Sequence, residues 1–233
     1  MCGRFTLHTS REDLQLAFEG FVFPDVEPRY NIAPTLDILV VRGYGAREVT
    51  EARWGLIPQW AKDPRIGSRM INARAETLSE KRAFREAFRK RRCLVVADGF
   101  YEWRKEQDGR KTPVYIQLDT GKPFAFAGLW DRWHPPSGDS VTSCTIITTK
   151  ANRLVASIHD RMPVILPPSA YDPWLAPDTD EPEILNGLLV PFPDASMSLR
   201  PVTPYVNSAR NEGKGCIASP SPEGTPGAQL TLL

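Results

Sequence analysis

Cys2 is the second residue of the chain. A Met followed by so small a residue is ordinarily trimmed, so Cys2 is expected to be the amino terminus of the mature protein. It would then carry an α-amine and a thiol on adjacent carbons. With reference pKa values of about 7.7–8.0 and about 8.5, both groups are partly reactive near neutrality. The amine condenses with an aldehyde to a Schiff base, and the thiol can close a five-membered thiazolidine, which no internal cysteine can form. The ordinary alternative is a small residue at a frayed terminus, and position alone leaves both open.

Three further clusters could carry chemistry. Asp98-Gly99-Phe100-Tyr101-Glu102-Trp103 leaves an expected buried strand through a glycine, which sets Glu102 at a strand end among aromatic rings. Apolar surroundings raise a carboxyl pKa and suit it to proton shuttling, whereas a surface ion pair is the plainer reading. His159, one of only three histidines, stands in Ile158-His159-Asp160-Arg161-Met162-Pro163 just before an expected strand. It suits acid–base work, and a satisfied structural histidine is the alternative. In the run Met70 to Thr77, Asn72 could orient a substrate oxygen and Arg74 could grip a phosphate with two hydrogen bonds.

These groups need elements to hold them. Thr9 to Glu12 and Thr77 to Glu80 both read as capping boxes, the second opening a helix to about Arg92 with Ala83, Phe84, Ala87 and Phe88 inward. Strands are expected at 36–42, 47–54, 93–97, 114–118, 124–129, 142–149 and 163–166, with a turn at Gly43-Tyr44-Gly45 and a turn-rich stretch from Pro24 to Pro34. Short helices fit 169–175 and 182–189. Many strands without βαβ alternation argue for an α+β fold with a bent, mostly antiparallel sheet. One domain over 2–217 is expected, followed by a mobile Pro/Gly/Ser-rich tail over 218–233.

Composition narrows the setting. Of 233 residues, 41% are hydrophobic and 24% charged, which excludes disorder for the bulk of the chain. No apolar run reaches the roughly 18 residues of a membrane span, and no secretory signal opens the chain. Cys2, Cys93, Cys144 and Cys216 are scattered without a CxxC pair, so neither a metal site nor a cofactor is expected. A cytoplasmic protein with free thiols is the default. The net charge of +1 hides a contrast: Lys62 to Arg92 holds eleven Lys and Arg against four acidic residues, a local +7 that leaves −6 elsewhere. Part of that remainder is the acidic set Asp172, Asp178, Asp180, Glu181 and Glu183. With Trp54 and Trp60 beside it, the basic segment suits a single-stranded nucleic-acid groove. A solvated helix face explains Arg85, Arg89 and Lys90 but fits Arg69 and Arg74 less well.

Six blocks, in order, resemble the SOS-response-associated peptidase family of abasic-site processing proteins: Met1 to Phe5, Arg29 to Pro34, Trp54 to Pro58, Asn72 to Thr77, Asp98 to Trp103, and Ile158 to Pro163. The resemblance implies a barrel-like sheet flanked by helices, with Cys2 in a positive cleft. It implies that Cys2 traps the ring-opened aldehyde of an abasic deoxyribose in single-stranded DNA as a thiazolidine. Asn72 would position the sugar, Glu102 would shuttle protons, and His159 would assist as acid–base partner, including in slow reversal. Arg4 and Arg74 would hold flanking phosphates, Trp60 would stack on a base, and Arg82, Arg85 and Arg161 would add DNA contacts. A monomer, nucleoid-associated in a bacterium, is expected. Two other readings stand beside it: a thiol peptidase with Cys2 as nucleophile and His159 as base, and a non-catalytic single-strand binding module.

Overall fold

The computed structural model describes residues 2–43, 47–177 and 182–220. The turn at 44–46, most of the acidic stretch (178–181) and nearly all of the expected tail (221–233) lie outside the described residues. Thirteen strands occur in chain order: β1 (Phe5–Leu7), β2 (Arg29–Ile32), β3 (Asp37–Arg42), β4 (Glu48–Trp54), β5 (Asn72–Arg74), β6 (Arg92–Ala97), β7 (Gly99–Lys105), β8 (Lys111–Leu118), β9 (Phe124–Trp133), β10 (Val141–Lys150), β11 (Arg161–Pro163), β12 (Ile165–Leu166) and β13 (Met197–Pro201). The helices are short: α1 (Arg11–Ala17), α2 (Arg85–Lys90), α3 (Arg153–Ala156), α4 (Tyr171–Leu175) and α5 (Pro182–Leu188). Among the described residues no helix is long and apolar enough to cross a membrane.

Five strands close on themselves. β3 pairs with β4 and β6, β6 with β9, β9 with β10, and β10 with β4, so the ring β10-β4-β3-β6-β9 is a barrel without free edges. β6 and the first half of β9 are apolar without alternation and buried throughout, as strands covered on both faces must be. The other sheet runs β13-β8-β7-β1-β2 and is antiparallel. The α+β, mostly antiparallel, barrel-like expectation is therefore what the molecule shows, with two parallel pairings, both to β10.

Those parallel pairings shape the site. β10 pairs with β4 through Cys144 and Trp54, then with β5 through Ile146 and Asn72. The chain thus leaves the barrel wall at Trp54, makes an excursion over 55–71, and rejoins the same strand at Asn72. The excursion begins tightly. Gly55 has φ of 133°, and a Cβ there would lie 2.6 Å from Gly67 O, so only glycine permits the crossing.

Some local expectations fail. The cap of α1 is Ser10, one residue later than the Thr9 pattern, and its side chain accepts from Asp13 N–H. The 77–92 helix reduces to α2, preceded by 3-10 turns. Leu78, before the helix, and Phe84, at its amino-terminal cap, are both buried. The 163–166 strand splits into β11 and β12, and the turn-rich 24–34 stretch contains β2.

Phe5 joins the two sheets, its ring 5.1 Å from Trp54 and 6.0 Å from Phe126, both edge-on, with no exposed surface. Phe5→Ala is expected to cost about 3–5 kcal/mol in a denaturant titration, because a cavity opens where the sheets meet.

Candidate functional site

The position of Cys2 follows from β1. That strand lies between β2 and β7, with Phe5 opposite Phe100 and Thr6 opposite Gly99. The pairing extends outward, Tyr101 N–H donating to Arg4 O at 2.9 Å. The same register carries the amino-terminal residues past Glu102, whose charge the Cys2 thiol feels. On the other side, Asn72 Nδ2 donates to Cys2 O at 2.8 Å. Cys2 is therefore held between β7 of one sheet and β5 of the other, and it is fully buried.

A buried carboxylate, Asp98, ties this strand down. Its Oδ1 accepts from Thr6 Oγ1 at 2.5 Å, and its Oδ2 accepts from His8 N–H at 2.5 Å and from Thr9 N–H and Oγ1 at 2.8 Å each. Thr6 Oγ1 also lies 3.0 Å from Tyr115 Oη. Tyr115 reaches this point only because residue 99 is glycine: a Cβ there would sit 2.1 Å from that hydroxyl. Sequence reasoning placed Asp98 in a motif but gave it no role. A carboxylate one residue ahead of a strand glycine was the available signal.

The electrostatics sort the groups. Burial pushes the Cys2 thiol far up, and the Glu102 charge raises it further, so the sulfur is held as a neutral thiol. Burial also pushes the Glu102 carboxyl up to about 7, with the chain's positive amino terminus pulling it down and Asp160 pushing it up. Glu102 is accordingly a carboxyl that gives or takes a proton near neutrality. His159 is lowered, chiefly by partial burial and next by the positive amino terminus. Its Nδ1 accepts from Arg161 N–H at 3.0 Å and lies 2.9 Å from Asp160 Oδ1. Asn72 Oδ1 is buried and takes no hydrogen bond from the described residues, an acceptor turned into the site.

His159 and Asp160 line a groove of about 640 Å³ with Arg74, Lys150 and Arg161. Arg74 is exposed on its rim. Arg4 is partly withdrawn: its Nη1 donates to Asn31 Oδ1 at 2.6 Å and Val206 O at 3.1 Å, and its guanidinium lies 5.7 Å from the Trp103 ring. Arg161, expected on DNA, is largely taken up inside the protein. Its two Nη groups donate to Glu76 at 2.6 and 2.9 Å, and Nη2 also to Thr148 O at 2.6 Å. Trp60, 44% exposed on the 55–71 excursion, carries Arg82 stacked 4.7 Å from its ring centre. Arg85 is exposed at the start of α2. The structure thus brings Cys2, Asn72 and Glu102 together and sets His159 beside Arg74 and Arg161. Trp60, Arg82 and Arg85 form a separate stretch. Asn31 and Glu76, each holding an arginine of this region, were missed because a buried polar partner leaves no periodic trace in sequence.

A five-stranded closed barrel packed against an antiparallel sheet, with Cys2 buried between them beside Asn72 and Glu102, defines the class of protein. The family model described as SOS response associated peptidase (SRAP) matches residues 1–209, and the chain belongs to that family. It is 45% identical over 224 residues to the abasic site processing protein YoqW of Bacillus subtilis, covering 94% of this chain and all of that one. It is 35% identical over 265 residues to the abasic site processing protein HMCES of Xenopus tropicalis, covering 94% of this chain and 78% of that protein. A crystal structure of a Bacteroides thetaiotaomicron protein superposes with a TM-score of 0.81 at 26% identity, over 94% of this chain and all of that one.

The raised Glu102 carboxyl has a consequence for stability. Between about 4.5 and about 7 the native state holds a proton that the unfolded chain has lost, so stability falls as pH rises through that window. Glu102→Gln removes the penalty. It is expected to unfold at higher denaturant than the parent at pH 8, by up to about 3 kcal/mol, and to lose that advantage at pH 4. Paired denaturant titrations at the two pH values check it.

Proposed function

We propose that this protein captures abasic sites in single-stranded DNA by forming a covalent bond through Cys2 once Met1 has been removed. The observation that carries the reading is the juxtaposition at the amino terminus: Asn72 holds the Cys2 carbonyl at 2.8 Å, and the Glu102 carboxyl, poised at about 7, acts on the same residue. The printed names of the relatives, abasic site processing proteins, support the substrate class.

In solution the abasic deoxyribose opens to expose an aldehyde at C1′. The Cys2 amine adds to that carbon, Glu102 supplies the proton that lets the oxygen leave as water, and a Schiff base remains. The thiol then adds across the C=N bond, its proton passing to nitrogen, and the thiazolidine closes. The amine acts first because the buried sulfur is kept protonated and is a poor opening nucleophile. Asn72 Oδ1 accepts from the amine or from a sugar hydroxyl, and His159 donates to the departing or returning oxygen. Arg74 and Lys150 on the groove, and Trp60 on the excursion with Arg82 over its ring, would meet phosphates and a stacked base. An unpaired strand presents its lesion without the cost of unstacking a base pair.

The competing thiol peptidase, with Cys2 as nucleophile and His159 as base, needs a thiolate. Burial opposes one.

Single-stranded DNA with one abasic site, incubated with the protein, is expected to give a heat-stable adduct on a denaturing gel. Cys2→Ala should abolish it, and so should an extra residue retained ahead of Cys2, which converts the amine to an amide. An adduct of undiminished yield in Cys2→Ala would remove this reading. Peptide turnover surviving the extra residue would favour the peptidase.

A further inference from the structure

Glu76 has no place in the chemistry described so far, yet its contacts link two parts of the site that must keep register. It lies in a 3-10 turn (Ala75–Thr77) immediately after β5, the strand that carries Asn72. Its carboxylate receives both Nη groups of Arg161, at 2.6 and 2.9 Å. The Arg161 side chain is only 11% exposed and is further fixed by Thr148 O on β10. Arg161 opens β11, paired with Lys150, and its own backbone N–H is the group that donates to His159 Nδ1 at 3.0 Å.

The chain of contacts is therefore carboxylate to guanidinium, guanidinium to strand end, and strand end to imidazole. A paired-donor fork of this kind restricts both direction and distance, which a single contact does not. We propose that Glu76 is a positioning residue: through Arg161 it fixes the orientation and tautomer of His159 and locks the His159 segment to the strand bearing Asn72. The proposal rests on the reading of His159 as the acid–base partner in abasic-site capture. Arg161 held by Glu76 also explains why a cation beside the groove is turned inward while Arg74 stays on the rim.

Other charges face His159 and bear on the outcome. Asp160 Oδ1 is 2.9 Å from Nδ1, Arg74 and Lys150 line the same groove, and the positive amino terminus acts on the ring from the Cys2 side. Nδ1 therefore faces two rivals, the Arg161 N–H, which needs a lone pair there, and Asp160 Oδ1, which needs a proton; holding Arg161 in place favours the first. With the strand end released, Asp160 competes for Nδ1–H and the tautomers mix.

The test joins two readouts. The ring nitrogens of His159, assigned in 15N-labelled full-length protein against a His159→Gln sample, report the tautomer without any DNA. The initial rate of adduct formation with single-stranded DNA containing one abasic site reports the chemistry as a function of pH. The parent is expected to show the Nε2–H tautomer alone. Glu76→Ala should show mixed tautomers, a rate about tenfold lower with a displaced pH profile, and affinity for the same DNA changed less than twofold. Glu76→Gln, keeping one acceptor oxygen, should recover most of the rate, and it decides the matter by the same two readouts if the alanine variant does not fold. His159 signals unchanged in both variants overturn the proposal, whether or not the rate falls. A parent that forms no adduct removes the abasic-site reading instead, and the tautomer measurement still decides what Glu76 does.

Discussion

A chain terminus frays unless something ties it down, yet Cys2, the second residue, is fully buried. The three-residue strand β1, pinned between β2 and β7, is the constraint from which the rest follows. Three residues of ladder would hold little by themselves. Asp98 accepts four hydrogen bonds, from Thr6, His8 and Thr9, and Phe5 adds a ring buried against the barrel. Asn72 then fastens the last backbone carbonyl. Remove the ladder and Cys2 has no fixed relation to Glu102 or to Asn72.

Seating the terminus between two sheets also sets its chemistry. The same exclusion of water that keeps the Cys2 sulfur protonated lifts Glu102 to about 7. Burying a carboxyl that ionises near neutrality opposes folding, so Glu102 is a position where stability is given up. On the proposed reading this division is useful: the amine attacks, the carboxyl moves the proton, and the thiol waits until a C=N bond is there to receive it.

The cations near the site do not form one uniform surface. Arg4 and Arg161 spend their donors on Asn31, Val206, Glu76 and Thr148, and so act first as parts of the frame. Arg74 faces the groove, and Arg82 lies over Trp60 on the excursion that separates β4 from β5. The cations near the site thus divide in space between buried struts and exposed side chains. A count of charges cannot tell the two apart, because the difference lies in whether a buried acceptor is within reach.

The motif blocks and their order identified the family, and the aminothiol logic of Cys2 needed only its position in the chain. Long apolar strands such as β6 and β9 were legible because burial on both faces leaves an unbroken run. The short strands β1, β2 and β5 were not, since three or four residues carry too little period to read, and they form through pairing with partners distant in sequence. The 77–92 helix was read too long: its local capping pattern was good, but the chain takes a 3-10 turn over Ala75–Thr77 and becomes α-helical only at Arg85. Residue identity fixed which groups could react. Only the tertiary structure decided that Cys2, Asn72 and Glu102 meet, that Glu102 titrates near neutrality, and that Arg161 is held by Glu76, because proximity and exclusion of water are set by long-range strand pairing.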